Sequence, residues 1–277
     1  MKPGVLVVAK KGAEAALEAG RQLAEWLAAR GHAVVDVTKT EGPIEAAAVK
    51  GVALGVAIGG DGTFLRLVRR LERKEAFPIL GVNLGTLGFI TDFSPDRMLP
   101  AVEKALRGGC AEERRPLMEV ELWRGGACVE RAVFFNDAAI SKDPRTPILR
   151  FDVLAGGKLL SKVSADGYII STPTGSTAYN LSAGGPLVHP EVEAMTLVAM
   201  CCHSLSARPL VLPRSMPLEI HAREFHGLAF LVVDGQVSYE IRMGDSIRVQ
   251  GAKSSLRLVR AEGQGWSEAL RTKLDFD

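Results

Sequence analysis

The chain has 277 residues, with 34 Lys and Arg against 32 Asp and Glu. That length suits one large domain or two ordinary ones, and the balanced charge excludes a dedicated nucleic-acid binder, which carries a clear basic excess. Cys110, Cys128, Cys201 and Cys202 lack zinc-type spacing, and no signal-peptide pattern or apolar run of membrane-spanning length is present. The chain therefore reads as cytoplasmic, with reduced thiols and no membrane partner.

The first third alternates strand and helix patterns. Gly4–Ala9 is a β-branched run, residues 13–30 carry Leu17, Leu23, Ala24 and Leu27 on a helical stripe, and Gly31 suits the C-terminal cap. Residues 33–37 and Val52–Ile58 are further strands, 63–71 a helix and Ile79–Val82 a strand, which together imply a parallel sheet covered by helices. The basic stretch 66–74 reads as a solvated helix face, Arg66 excepted. Beyond Arg114 the pattern turns to short strands: Met118, Val120 and Leu122 alternate with polar residues, and Gly125-Gly126 and Gly156-Gly157 mark hairpins. Segments 218–221, 228–233, 238–242, 246–249 and 255–259 continue this grammar, and Trp266–Leu274 reads as a closing helix. The expectation is an α/β domain followed by an all-β domain.

Four loops carry chemistry. Val56-Ala57-Ile58-Gly59-Gly60-Asp61-Gly62-Thr63 is an apolar strand opening through glycines into a helix, a setting that brings backbone amides close to phosphate oxygens. A carboxylate there is costly beside phosphates unless it accepts a proton or helps to hold a metal ion; the alternative is a tight turn with Asp61 capping the helix. Arg66, one turn on, can reach a phosphate or stand as a surface arginine. Asn83 to Phe89 is a second Gly-punctuated loop at the next strand end, with Phe89 either stacking on a base or plugging the core. Asn136-Asp137 can bind ribose hydroxyls or an amide-bearing ring, or form an ordinary Asx turn. The stretch from Asp166 to Pro186 is too rich in hydroxyls for core and suits a large polar ligand. His203 is a lone, structural histidine, and Asp234-Gly235 is explained by a hairpin turn, with Gln236 a weaker contact. Only three asparagines occur, Asn83, Asn136 and Asn180, each inside one of these segments. Such depletion fits a heat-adapted source or a genome bias.

Together these segments resemble the NAD kinase family. The matching pieces are 59–63, 83–89, Asn136-Asp137, 166–186, 203–213 and Arg271-Thr272-Lys273-Leu274. The 172–186 segment is highly specific, whereas Gly-Gly-Asp-Gly is shared with lipid kinases and phosphofructokinases. The resemblance implies transfer of a phosphoryl group from ATP or polyphosphate, with Mg²⁺, to the adenosine-ribose 2′-hydroxyl of NAD. It also implies a Rossmann-like domain over 1–113, a β-rich domain over 114–255, and a segment 256–277 packing back on the first. The active site would lie between the domains, in a homodimer or homotetramer. Carried over, Asp61 is the proton acceptor and Gly62, Arg66 and Phe89 line the NAD site. Asn136 and Asp137 hold the dinucleotide, and Asp166, Thr177, Ala178, Tyr179, Asn180, Leu181 and Ser182 complete the pocket, with Ser164 and Gln236 as weaker contacts. No side chain is assigned as a metal ligand. Asp137 stands where the family commonly has Glu, Cys202 where many members have Pro, and Ser164 where some carry Arg, which bears on the choice between oxidised and reduced dinucleotide.

Overall fold

The computed structural model describes residues 2–85, 88–204, 207–263 and 265–274. Thr86 and Leu87 of the second glycine loop, and Leu205 and Ser206 of the 203–213 segment, lie outside the described residues. The chain divides into two compact units, Met1–Arg115 with Ser254–Asp277, and Pro116–Lys253.

The first unit is built from β1 (Gly4–Ala9), α1 (Glu14–Ala29), β2 (Val34–Asp36), β3 (Val52–Ile58), α2 (Asp61–Arg70), β4 (Ile79–Val82) and α3 (Met98–Leu106). Its strands run parallel in the order β2-β1-β3-β4. Every residue of β1 and β4 is buried, as expected of parallel strands covered on both faces. Leu23 and Leu27 of α1 and Val102 of α3 pack with Val5, Val7 and Val56 in one core. Helix α3 has no counterpart in the sequence reading: it spans only nine residues and contains Pro100, which disguises it as a loop. Arg70 departs from the solvated face expected of 66–74. It is buried, and its guanidinium donates to the Gly42 carbonyl (2.8 Å), the Val37 carbonyl (3.0 Å) and Thr40 Oγ1 (2.7 Å), pinning the loop after β2.

Strand β5 (Ala111–Arg124) starts in the first unit and passes into the second at Pro116; the second unit continues as β6 (Ala127–Phe134), β7 (Asp137–Lys142), β8 (Leu149–Ala155), β9 (Lys158–Ala165) and β10 (Gly167–Ser171). A short helix α4 (Tyr179–Ser182) leads to β11 (Ala194–Met200), β12 (Leu210–Pro213), β13 (Leu218–Ala222), β14 (Ala229–Val233), β15 (Val237–Ile241) and β16 (Ser246–Arg260). Within this unit an antiparallel sheet runs β12-β11-β10-β7-β14-β15, and β9, β8, β13 and the first part of β16 form a second set; from Ser254 onward β16 belongs to the first unit, where Leu258 and Val259 pair in parallel with Ile79 and Leu80 of β4. Phe151 and Ile220 of one set meet Ile140, Ile170 and Leu231 of the other in a shared core. The chain ends, among described residues, in α5 (Trp266–Leu274), which belongs to the first unit.

Two readings are corrected here. Segments 246–249 and 255–259 form the single 15-residue strand β16; Gly251 does not break it, because Arg214 lies against that glycine and donates to the Ala252 carbonyl (2.6 Å). The hydroxyl-rich stretch is largely core. Gly167–Ser171 is a buried central strand, and Thr172, Thr174, Ser176 and Asn180 are buried too. Two of the hydroxyls are taken up locally: Thr172 Oγ1 donates to the Phe135 carbonyl (2.6 Å) and Ser176 Oγ to the Pro173 carbonyl (2.7 Å), whereas Thr174 Oγ1 is buried without a hydrogen-bond partner among the described residues.

Candidate active site

In the first unit the sequence after β3 reaches positive φ at Gly59 (+141°) and Gly60 (+114°), a backbone that only glycine adopts without strain. This turns the chain straight into α2, which begins at Asp61, two residues before the expected start. Asp61 therefore sits in the first helical turn, where the helix dipole favours a negative charge. Its carboxylate reaches the second glycine loop. Oδ2 accepts from the Phe89 N–H (3.1 Å), and Oδ1 from the Thr91 N–H (3.1 Å) and the Thr91 hydroxyl (2.7 Å). The Thr91 hydroxyl in turn accepts from Asn83 Nδ2 (3.1 Å). A Cβ on Gly88 would lie 1.9 Å from Asp61 Oδ1, so the absence of a side chain there is what admits the carboxylate.

Beside Asp61 lies a cavity of about 290 Å³ walled by the glycine loop, Lys10, Lys11, Thr63 and Arg66. Arg66 also donates to the Ala9 carbonyl (3.1 Å), which fixes its stem, and Lys11 pairs with Glu41. Lys10 and Lys11 were not singled out from sequence. They directly follow β1, and only the parallel pairing of Ala9 with Ile58 brings them beside the loop that follows β3. Behind the second loop, Asp92 is buried against Arg260, with Arg260 Nε 3.0 Å from Asp92 Oδ2. Burial pushes the Asp92 carboxyl up to about 7, against the pull of that guanidinium.

In the second unit Asn136 and Asp137 sit where β6 gives way to β7, and a cavity of about 290 Å³ is bounded by them, Ala178, Tyr179, Val232 and Asp234. Asp234 organises this corner. It occupies the hairpin turn with φ +49°, and its carboxylate accepts from the N–H groups of Phe135 (3.0 Å), Asn136 (2.7 Å) and Asp137 (3.1 Å). Turn chemistry alone is thus too small a role for Asp234; the only sequence signal was an Asp-Gly pair read as local. Among the described residues Asn136 Oδ1 is buried without a hydrogen-bond partner. The Asp137 carboxyl is pushed up to about 7, first by burial and then by the neighbouring Asp234. A Cβ on Gly175 would come within 2.1 Å of the Asn136 carbonyl, so the 172–177 turn presses directly on the Asn136 backbone.

The expected pocket residues divide accordingly. Asn136, Asp137, Ala178 and Tyr179 line the cavity. Asn180 is fully buried and braces the loop instead: Nδ2 donates to the Ser176 and Pro186 carbonyls (3.0 Å each) and Oδ1 accepts from Thr196 (2.8 Å). Thr177 donates to the Thr174 carbonyl (3.2 Å), while Leu181 and Ser182 follow in α4. Asp166 lies 3.6 Å from Lys142 Nζ, Ser164 pairs with Arg150 across β8 and β9, and Gln236 closes the turn after Asp234. Gly62, exposed at the helix start, borders the phosphate-side cavity, whereas Phe89 meets Asp61 through its backbone.

Two outcomes follow from this geometry. Gly88→Ala forces its methyl into the Asp61 carboxylate, so turnover should fall by about 100-fold or more, the scale of an ångström-level misplacement, while circular dichroism remains that of the wild type. For Asp137 the folded carboxyl holds its proton up to about pH 7 against 3.8 in the unfolded chain. Stability therefore falls as pH rises between those values and stays low above them. Asp137→Asn should melt higher than wild type at pH 8, by roughly 2–4 °C per kcal/mol relieved, and at the same temperature near pH 4.

Residues 32–110 match the model of the ATP-NAD kinase N-terminal domain and residues 135–261 that of the ATP-NAD kinase C-terminal domain. The NAD kinase of Geotalea daltonii is 38% identical over 266 residues, covering 92% of each chain. That of Aromatoleum aromaticum is 37% identical over 282 residues, covering 98% of this chain and 93% of its own. Among solved structures, yeast NADH kinase complexed with NADH superposes with a TM-score of 0.89 at 25% identity, covering all of this chain and 89% of that one. The NAD kinase from Archaeoglobus fulgidus in complex with ATP gives 0.74 at 26% identity, covering 94% of each. The glycine loop, the Asn136-Asp137 corner and the two matched domains place the chain in one family: it belongs to the ATP-NAD kinases.

Proposed function

We propose that this chain phosphorylates the adenosine-ribose 2′-hydroxyl of NAD with ATP as donor, Asp61 accepting the hydroxyl proton as the new O–P bond forms. The observation that carries the assignment is the Asp61 carboxylate itself, oriented on both oxygens by Phe89 and Thr91 at the edge of a cation-lined cavity. In-line phosphoryl transfer asks the protein mainly for positioning and charge neutralisation. Lys10, Lys11, Arg66 and the amides of the glycine loop supply these for the donor phosphates. Two domains divide the work in this reading, 1–113 with 256–277 for the donor and 114–255 for the dinucleotide. The unpartnered Asn136 Oδ1 accepts from a ligand amide or hydroxyl, Asp137 from a ribose hydroxyl, and Tyr179, 45% exposed, offers a face for stacking.

Mg²⁺ fits this reading as a companion of the nucleotide. Among the described residues no group of three His, Cys, Asp or Glu is placed to hold a metal. Bound chiefly through phosphates and water, as Mg²⁺ commonly is, such an ion would supply charge neutralisation at the transferred group beside Lys10, Lys11 and Arg66. A homodimer or homotetramer is part of the proposal, with exposed Leu159 and Leu160 on edge strand β9 as a surface to cover. Among the described residues no helix is long and apolar enough to cross a membrane; the four free cysteines fit a cytoplasmic setting.

The test is NADP formation by the purified protein from NAD and Mg²⁺ with ATP, read by an NADP-specific dehydrogenase, with polyphosphate as the second donor. Absence of NADP with either donor, from folded protein that still binds NAD, would make the chain a dinucleotide-binding protein instead. Asp61→Asn should retain NAD binding and lose kcat by about 100-fold or more; near-normal turnover would sink the proton-acceptor role. Excess EDTA should stop turnover at once without lowering the melting temperature, because the ion belongs to the substrate complex; a loss of folded protein would show a structural metal.

A further inference from the structure

One segment singled out in the sequence is not absorbed by the proposed chemistry, namely Arg271-Thr272-Lys273-Leu274 at the end of α5. Its lysine does not project freely into solvent. Lys273 is half-buried, and its Nζ stands over the Phe89 ring, 4.6 Å from the centroid. Phe89 is the residue whose N–H donates to Asp61 Oδ2 (3.1 Å), and its carbonyl accepts from Arg260 Nη1 (3.4 Å). The residue is therefore held by the proton acceptor at its amide, by β16 at its carbonyl and by α5 at its ring. All of these groups belong to the first unit.

The charge of Lys273 also reaches the centre. Burial pulls its ammonium below the ordinary lysine value, while Asp61 first and then Asp92 draw it back up. A partly desolvated ammonium on an aromatic face and within electrostatic reach of two carboxylates is a costly arrangement for a lysine whose only task is to solubilise a helix. An ordinary surface lysine would extend into water, as Lys158 does on β9.

We infer that Lys273 is a positioning residue for phosphoryl transfer: it clamps the Phe89 ring so that the Phe89 and Thr91 amides stay aimed at Asp61, and its charge balances that carboxylate. The inference rests on the proposed role of Asp61 and extends it to the C-terminal helix. Lys273 touches neither donor nor acceptor in this scheme. Its removal disturbs the catalytic carboxylate rather than the Asn136–Asp137 cavity, whose lining residues lie in the second unit.

The experiment compares wild type with Lys273→Met, Lys273→Arg, Phe89→Leu and the Met/Leu double variant, measuring kcat, KM for NAD and melting temperature. Lys273→Met should lower kcat by about 10-fold or more, with KM for NAD within about two-fold of wild type. Lys273→Arg keeps a cation that stacks on the ring and should recover most of kcat. The double variant should be no slower than the slower single one, because both substitutions act through one contact. Wild-type kcat in Lys273→Met overturns the inference, as do equal losses in the Met and Arg variants or a double variant whose losses multiply. If Lys273→Met also melts lower, the Arg rescue and the double variant still decide. A wild-type chain that forms no NADP overturns the parent reading of Asp61 instead, so the two failures are distinguishable.

Discussion

A carboxylate beside a bound polyphosphate is repelled unless the protein holds it, and in this chain the holding is done by one loop. Asp61 needs the helix start that Gly59 and Gly60 make possible, the Phe89 and Thr91 amides that point at it, and the missing side chain at Gly88. Thr91 is steadied by Asn83, and the Asp92–Arg260 pair is buried directly behind. Loss of a buried ionic partner leaves an uncompensated charge, so this backing is stiff as well as attractive. Preorganised donors of this kind do not have to reorient while charge moves during the reaction.

The second unit solves a related problem with the same device. Three successive backbone N–H groups at the β6–β7 junction, those of Phe135, Asn136 and Asp137, all donate to the Asp234 carboxylate. The reciprocal carbonyls of Phe135 and Asn136 are met by Thr172 and Ser171. With its backbone satisfied on both sides, the junction leaves the Asn136 and Asp137 side chains at a cavity wall. The raised Asp137 carboxyl follows from that placement: it is removed from water and stands beside the anchoring Asp234. Each unit thus uses one aspartate to orient backbone around a polar site, Asp61 doubling as the proposed proton acceptor and Asp234 also forming part of the cavity wall.

The hydroxyl-rich stretch shows why composition misleads in such proteins. Ser171, Thr172, Thr174 and Ser176 read as solvent-facing or ligand-facing, yet they are buried. Small hydroxyls pack closely and can return a hydrogen bond to a nearby carbonyl, so a tight turn can be core without an apolar side chain. Asn180 is the extreme case: wholly inaccessible, it ties Ser176, Pro186 and Thr196 together. The specificity of this motif as a family mark therefore reflects folding constraint at these buried positions.

By itself the sequence determined the parallel strands and the first two helices of the first unit, the glycine loop after β3 and the family of the chain, because strand periodicity, glycine punctuation and short motifs are written within a few residues. It left α3 unseen, where Pro100 interrupts a short apolar pattern, and split β16 at a glycine that stays extended. Only the tertiary structure decided what the Asp61 carboxylate faces, 28 and 30 residues along the chain, and what Asp234 holds, 97 to 99 residues away. The same is true of Lys10 and Lys11, brought beside the glycine loop by parallel strand pairing, and of Lys273, set on Phe89 by the return of the C-terminal helix. Such pairings are invisible locally because an acceptor's partner is chosen by which backbone groups remain unsatisfied after the strands and helices have packed, and that is a property of the whole fold.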